Sequence, residues 1–375
     1  MAISEREILR VLDANLDRAR EGLRVVEELA RFVFQDKALQ KKTKSLRHKL
    51  ASLFASLPRK RAVGSSAVLA PKHVTRERLI DLGRDVTSDV GKDTLTSHEA
   101  KRATTIDLVQ ANFARIEESL RALEEFTKFF PGTLSTNLKA LRFEVYTLEK
   151  DYVRAGNRAA NASLLRNVGM YPIMDREAIG DLDPLKVARQ VLVPGIRIVQ
   201  YRDKVSSAAG ICEICAALRK ITSRKGVIFI VNDRIDIAQA VDADGVHLGQ
   251  DDVPIAVARQ SLGSRKIIGR STHSLMQARR AAKEDVDYIG VGPIFSTPTK
   301  PQARPVGMEL IAKVRAITDK PIIAIGGINR HNLGEVLANG ADGAAVISAI
   351  LKARYVRSST ESLVRISRKR SKSRS

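Results

Sequence analysis

From Tyr171 onward the chain alternates short apolar runs with longer amphipathic stretches. Eight of the runs have strand character: YPIMD, IRIVQYRDK, VIFIVND, GVHLGQDD, IIGRSTH, YIGVGPIFSTPTK, PIIAIGGI and GAAVISAI. They begin near Tyr171, Ile196, Val227, Gly245, Ile267, Tyr288, Pro321 and Gly343. Helical segments lie between most of them, and polar residues gather where the runs end. Eight strands alternating with helices predict an α/β fold, a (β/α)8 TIM barrel with its site on the C-terminal face. That architecture draws Gln200, Arg202, Lys204, Asn232, Asp233, Asp252, Ser271, Lys300 and Gly327 to one mouth from distant parts of the chain.

The first 165 residues carry a different period. Leu9, Leu12, Leu16, Ala19, Leu23, Val26, Ala30 and Val33 recur at alternating spacings of three and four, one apolar seam on a long helix. The stretch ANLDRAREGLRVVEELARF from Ala14 is echoed by ANFARIEESLRALEEFTKF from Ala111, and Leu46-Arg47 by Leu141-Arg142. The repeat predicts an all-α domain over residues 1–155, made of two related helical hairpins about an approximate two-fold axis. Asn15, Arg18 and Gly22 form a stripe beside the seam, matched by Asn112, Arg115 and Ser119. Two readings of that stripe stand: a polar edge of a helix–helix interface, or the wall of a phosphate pocket. Between the hairpins lies the loop-rich GRDVTSDVGKDTLTSHE, and RAGNRAANASLLRN reads as the linker into a barrel domain spanning residues 166–354.

Composition narrows the class. Apolar residues make up 44% and charged residues 28%, values of an ordinary globular protein. No run is long and apolar enough to span a membrane, and MAISEREILR lacks the order of a signal peptide, so a cytoplasmic location is expected. Cys212 and Cys215 fall one turn apart on a helix without further zinc ligands, which predicts inert thiols. The net charge of +22 invites a nucleic-acid reading. Aromatics are only 4%, however, so bases would find few stacking platforms and no specific nucleic-acid partner is expected. The basic end, residues 355–375, reads as a disordered tail.

The strand ends carry the chemistry. In QYRDK, period-two alternation puts Gln200, Arg202 and Lys204 on one side and Tyr201 and Asp203 on the other. An amide, a guanidinium and an ammonium converging on a mouth suit a diphosphate. VNDR and GQDD place Asp233 and Asp252 on neighbouring strand ends. Two carboxylates beside an anion pocket make sense with Mg²⁺ bridging them to phosphate oxygens. Helix capping is the alternative role for either one. His247 faces the mouth or the core with equal ease. Ser271 in GRSTH offers a hydroxyl without the setting of a nucleophile. The loop STPTK brings Thr297, Thr299 and Lys300, a cation that can close over a substrate. IGGI and VISAI, with Gly327, Ile347 and Ser348, form a second anion pocket of the kind barrels use for phosphate. Two anion pockets on one mouth fit an enzyme joining a diphosphate ester to a phosphorylated acceptor. Two rivals stand beside it: a phosphosugar isomerase or epimerase barrel, and a vestigial barrel on a nucleic-acid-associated protein.

Taken together and in order, QYRDK, VNDR, HLGQDD, GRSTH, GPIFSTPTK, AIGGI and VISAI resemble the thiamine phosphate synthase family, over about Leu165 to Lys352. The resemblance implies coupling of 4-amino-2-methyl-5-(diphosphooxymethyl)pyrimidine to a thiazole phosphate, two small-molecule substrates. It implies that Gln200, Arg202, Lys204, Asn232, Ser271 and Lys300 hold the pyrimidine diphosphate, within a QYRDK run whose Tyr201 and Asp203 join the substrate-binding set. Arg202, Lys204 and Lys300 then assist the leaving group, Asp233 and Asp252 bind Mg²⁺, and Thr297, Thr299, Gly327, Ile347 and Ser348 serve the thiazole phosphate. On ANLDRAREGLRVVEE and GRDVTSDVG, the first domain resembles the helical domain sometimes fused ahead of this synthase and associated with hydroxymethylpyrimidine phosphate kinase activity.

Overall fold

The structure is a computed structural model and describes residues 3–55, 102–298 and 302–371. The chain divides into two compact units, Met1–Asn157 and Arg158–Ser375. GRDVTSDVGKDTLTSHE, Thr299 and Lys300 lie outside the described residues. No described helix is long and apolar enough to cross a membrane.

The first unit is helical. Its described elements are α1 (Glu5–Glu28), a π turn (Leu29–Val33), α2 (Lys37–Ala55), α3 (Thr105–Phe126) and α4 (Leu134–Leu165), whose residues from Arg158 belong to the second unit. Helices α1 and α3 both open with a capping box: Glu7 N donates to Ser4 Oγ at 3.3 Å, and Asp107 N to Thr104 Oγ1 at 3.1 Å. The apolar seam of α1 is buried from Leu9 to Ala30, but Val33 is 52% exposed. The wider π turn rotates the chain past the register that the seam follows.

The repeat has a structural counterpart. Arg47 Nε pairs with Glu27 at 2.9 Å in the first hairpin, and Arg142 Nε with Glu124 at 3.0 Å in the second. Gly22 lets α1 approach α3 closely, since a Cβ there would meet Ile116 Cγ1 at 2.7 Å. Asn15 and Asn112 each turn back on their own helix, donating to Val11 O and Leu108 O at 2.8 Å, while Arg18 and Arg115 are exposed. Gly22 thus serves the helix crossing, the asparagines bond within their own helices, and the two arginines face solvent.

Glu117 on α3 stands out electrostatically. Its Oε1 is buried without a hydrogen-bond partner. Burial first, and then the neighbouring Glu149, push its carboxyl up to about 7. The folded chain therefore holds this proton more tightly than the unfolded one, whose carboxyl titrates near 4.5. Stability is retained below that value and falls as pH rises toward 7. Glu117→Gln is expected to raise the melting temperature at pH 8 and to leave it nearly unchanged at pH 4. Equal shifts at both pH values would show that charge at Glu117 is not the cause.

The second unit is a closed parallel barrel in which the eight strands pair in sequence order. They are β1 (Gly169–Asp175), β2 (Ile198–Arg202), β3 (Ile228–Asn232), β4 (Gly245–Leu248), β5 (Ile267–Thr272), β6 (Tyr288–Val291), β7 (Ile322–Ile325) and β8 (Gly343–Val346). Alternation sorts the core into two layers. Tyr171, Ile173, Ile198, Ile230, Tyr288 and Ile323 fill the interior. Met174, Val199, Tyr201, Phe229 and Val231 join the layer between strands and helices. Cys215 lies in that outer layer, where burial pushes its thiol up to about 12 and keeps it unreactive.

Three aspartates tie the barrel floor by one repeated device. Each precedes an even-numbered strand, accepts an amide from the start of the strand before it, and pairs with an arginine from the helix that leads into that earlier strand. Asp244 accepts from Phe229 N and Arg219 Nη1, both at 2.8 Å. Asp287 accepts from Ile268 N at 2.8 Å, Arg259 Nη2 at 2.6 Å and Asn161 at 2.9 Å. Asp342 accepts from Ile322 N at 2.9 Å and pairs with Arg315.

One expectation gains detail here and one is corrected. RAGNRAANASLLRN, read as the linker into the barrel, is helical through Leu165, because its alanines, leucines and arginines favour helix and Asn161 is buried against Asp287. The basic end is likewise a helix, Val356–Ser371, not a disordered tail. Its buried positions are few but fall on one face: Val356, Leu363 and Val364, with Thr360 and Ser367 bonding their hydroxyls back to the helix.

Candidate active site

At the C-terminal ends of the strands lies an open cavity with about 960 Å³ of empty space, mouth included. Gln200, Arg202, Asn232, Ser271, Thr297 and Gly327 line it, as do Ile347 and Ser348. Residues 148 positions apart thus share one wall system, because each sits at or just beyond the end of its own strand.

Gln200 and Arg202 point inward by alternation along β2. Arg202 pairs with Asp175, a buried carboxylate at the end of β1 that also accepts from Ala178 N at 3.0 Å. Asp175 was not among the residues singled out from the sequence; its signal was only its place at the end of the first run. Tyr201 and Asp203 do not reach the cavity. Tyr201 is buried between the barrel and its helices and donates to Asp203 at 2.9 Å. Asp203 accepts from Val205 N at 3.0 Å and Ser206 N at 2.9 Å. Burial works against its charge, but those amides outweigh it and hold the carboxyl below its ordinary range. Asp203 therefore shapes the loop after β2 and Tyr201 anchors it, which corrects their place in the substrate-binding set.

Lys204, Asp233 and Asp252 meet beside the cavity. Lys204 pairs with Asp233. Burial and the adjacent Asp252 raise the Asp233 carboxyl, with Lys204 opposing. At Asp252 burial also acts upward, yet contact with Asp233, the Gly249 amide at 2.6 Å and the charges of Lys204 and Arg270 hold it low. Asp233 has φ 58°, a left-handed conformation that costs a non-glycine residue about 1–3 kcal/mol. Two carboxylates in contact, with an ammonium balancing part of their charge, form a donor set suited to a divalent cation.

The opposite side is built from backbone. Gly326 and Gly327 have φ +100° and +65°, and a Cβ on Gly327 would meet Ser296 O at 2.5 Å. The loop after β6 thus packs against the loop after β7 only because both residues are glycine. Asn329 and Asn332 donate to Gly327 O at 3.2 and 3.0 Å and set the peptide's orientation. Ile347 and Ser348 stand where β8 passes into the helix Ser348–Leu351.

Between the two sides the interior supplies groups that the motif reading passed over. Tyr171, Tyr288 and His273 line the cavity. His247 belongs to the wall as well, with Nδ1 2.8 Å from Tyr288 Oη and Nε2 2.8 Å from Ser271 Oγ. The inward register of β1 and β6 was the available signal for the two tyrosines.

Comparison with known proteins identifies the family. Residues 170–350 match the family described as thiamine monophosphate synthase, and residues 10–151 match the ThiD2 family. A thiamine-phosphate synthase of Gloeobacter violaceus is 39% identical over 94% of both chains. That of Synechocystis sp. is 40% identical over 92% of both. The solved thiamine phosphate pyrophosphorylase of Pyrococcus furiosus has 40% identity and a TM-score of 0.51, covering 55% of this chain and 98% of its own. With the barrel and both relatives agreeing across nearly the whole length, this chain belongs to the thiamine-phosphate synthase family.

Proposed function

We propose that the barrel condenses 4-amino-2-methyl-5-(diphosphooxymethyl)pyrimidine with a thiazole phosphate, giving thiamine phosphate and diphosphate. The observation that carries this reading is the pair of unlike anion-receptive regions on one cavity. Arg202 and Lys204, with Asp233 and Asp252 beside them, flank the β2–β4 side. Gly327 and Ser348 line the β7–β8 side. A phosphosugar isomerase would need one phosphate site and an acid/base pair; family membership speaks for the synthase.

In this reading Arg202, Lys204 and Lys300 bind the diphosphate. Asp233 and Asp252 would hold Mg²⁺, which when bound offsets the charge of the phosphate oxygens. As the carbon–oxygen bond breaks, its electron pair leaves with the diphosphate, and the three cationic side chains stabilise the growing negative charge. The 4-amino group donates electron density toward the cationic carbon. The neutral thiazole nitrogen then forms the new carbon–nitrogen bond, so no side chain is required as a general base. Gln200, Asn232 and Ser271 position the pyrimidine. Thr297 and Thr299, with Gly327, Ile347 and Ser348, seat the thiazole phosphate.

For the helical unit, its match to the ThiD2 family and its internal repeat support phosphorylation of the pyrimidine monophosphate ahead of the condensation. Incubating the full chain with Mg²⁺, thiazole phosphate and the pyrimidine diphosphate is expected to release one diphosphate per thiamine phosphate formed. Replacing the diphosphate by the monophosphate plus ATP should give the same product. Product only from the diphosphate would remove the kinase reading, and no product from either would overturn the proposed reaction.

A further inference from the structure

Five polar side chains cross the barrel interior beneath the cavity in one continuous series. Gln200 Nε2 lies 2.9 Å from Tyr171 Oη, which lies 3.1 Å from Tyr288 Oη. Tyr288 Oη lies 2.8 Å from His247 Nδ1, and His247 Nε2 lies 2.8 Å from Ser271 Oγ. The series joins β2, β1, β6, β4 and β5, so it runs from one wall of the barrel to the other. Gln200, Tyr171 and Tyr288 are all buried. Burial raises both phenols far above their ordinary range and keeps them protonated. The His247 ring stacks on Tyr288 with centroids 5.4 Å apart, which fixes the imidazole plane. Gly269 on β5 leaves room for the Tyr288 ring, which a Cβ there would strike.

Counting protons gives the series a direction. Each phenol has one proton to donate, and so has a neutral imidazole. The Gln200 amide donates to Tyr171. Tyr171 must then donate to Tyr288, and Tyr288 to His247 Nδ1. The imidazole proton is left on Nε2, which donates to Ser271. The Ser271 proton has no acceptor within the series and turns to the cavity that Ser271 lines. At the other end Gln200 has spent one amide N–H on Tyr171, which turns its carbonyl oxygen, with the second N–H beside it, to the cavity. Reversing one link would set two donors or two acceptors face to face in a buried site, so the ends always carry opposite polarity.

We propose that Tyr171, Tyr288 and His247 are positioning residues forming a polarised hydrogen-bond relay, which makes Gln200 an acceptor and Ser271 a donor toward the bound ring and so selects an aminopyrimidine over its 4-oxo counterpart. The inference deepens the synthase reading and rests on it for the identity of the ring. An aminopyrimidine offers an amine donor and bare ring nitrogens, the complement of that pair. A 4-oxo ring sets its acceptor against the Gln200 carbonyl oxygen and is left only the second Gln200 N–H, so it binds less tightly.

Two measurements test it on the full chain. The ¹⁵N spectrum of the selectively labelled protein at neutral pH is expected to show His247 protonated at Nε2 and bare at Nδ1; a proton on Nδ1 would reverse the relay and overturn the proposal. Calorimetry without thiazole phosphate then compares the pyrimidine diphosphate with its 4-oxo analogue. Tyr288→Phe keeps the ring and loses one hydroxyl. It is expected to weaken the 4-amino ligand about tenfold and to change the 4-oxo analogue by less than twofold. His247→Gln, which retains an N–H donor for Ser271, should bind the 4-amino ligand within threefold of the parent. Equal weakening of both ligands in Tyr288→Phe would mark a merely structural role and reject the relay. Failure of the unaltered chain to bind either pyrimidine would reject the synthase reading, while the tautomer result would still decide the relay's direction.

Discussion

Asp233→Asn and Asp252→Asn are each expected to lower kcat/KM for the pyrimidine diphosphate by on the order of 10²- to 10³-fold, with secondary structure intact. Asparagine isolates the charge in both cases. At position 233 it tolerates the left-handed backbone of φ 58° as well as aspartate does. At position 252 its carbonyl still accepts from the Gly249 amide, now 2.6 Å from the carboxylate. Each variant leaves one carboxylate where the proposed Mg²⁺ site has two, so excess Mg²⁺ should partly restore the weaker of them. Diphosphate release measured across a Mg²⁺ series checks both effects. Turnover of the parent protein without divalent cation would sink the metal assignment, and near-normal turnover of both variants would sink the site.

The largest effect on stability is expected at the barrel floor. Asp287→Ala should destabilise the barrel unit by about 3–5 kcal/mol, because it removes the buried carboxylate of Arg259 and leaves only the more exposed Asp285, 3.5 Å away, to balance that charge. The side chains of Asp287 and Arg259 are 0% and 9% exposed, and the aspartate also satisfies Ile268 N and Asn161. Solvent can replace more of what is lost at the two related ties. Asp342 and Arg315 are 11% and 28% exposed, and Asp244 and Arg219 are 30% and 23% exposed. The melting temperature should therefore fall most for Asp287→Ala, by roughly 6–20 °C, less for Asp342→Ala and least for Asp244→Ala. Thermal denaturation of the three variants side by side decides it. An equal or larger loss at Asp244 would show that burial does not set the worth of this device.

Much of the architecture was legible along the chain. Period-two apolar runs recur eight times, and each became a barrel strand in its own place. The helical repeat was legible too, and the structure adds matching ion pairs to it, Glu27–Arg47 and Glu124–Arg142. Such features are local: a strand's alternation and a helix's seam follow from which neighbours must be buried together. Where the signal was average composition it misled. The basic end holds only a handful of buried positions, but their helical spacing outweighs the charge around them.

What the sequence by itself determined is the set of strands, their order and the polar groups at their ends, because these depend on periodicity and on residue type. What only the tertiary structure decided is which of those groups meet. Alternation put Tyr201 and Asp203 away from Gln200 and Arg202, and barrel closure turned that local difference into two separate environments, a packed outer layer and an open cavity. Asp175 became the partner of Arg202 through strand pairing between β1 and β2. Tyr171, Tyr288 and His247 became one series across the interior, although 117 residues separate the two tyrosines. No local pattern encodes such contacts, since they arise only when eight strands close on themselves and their inward side chains share one axis.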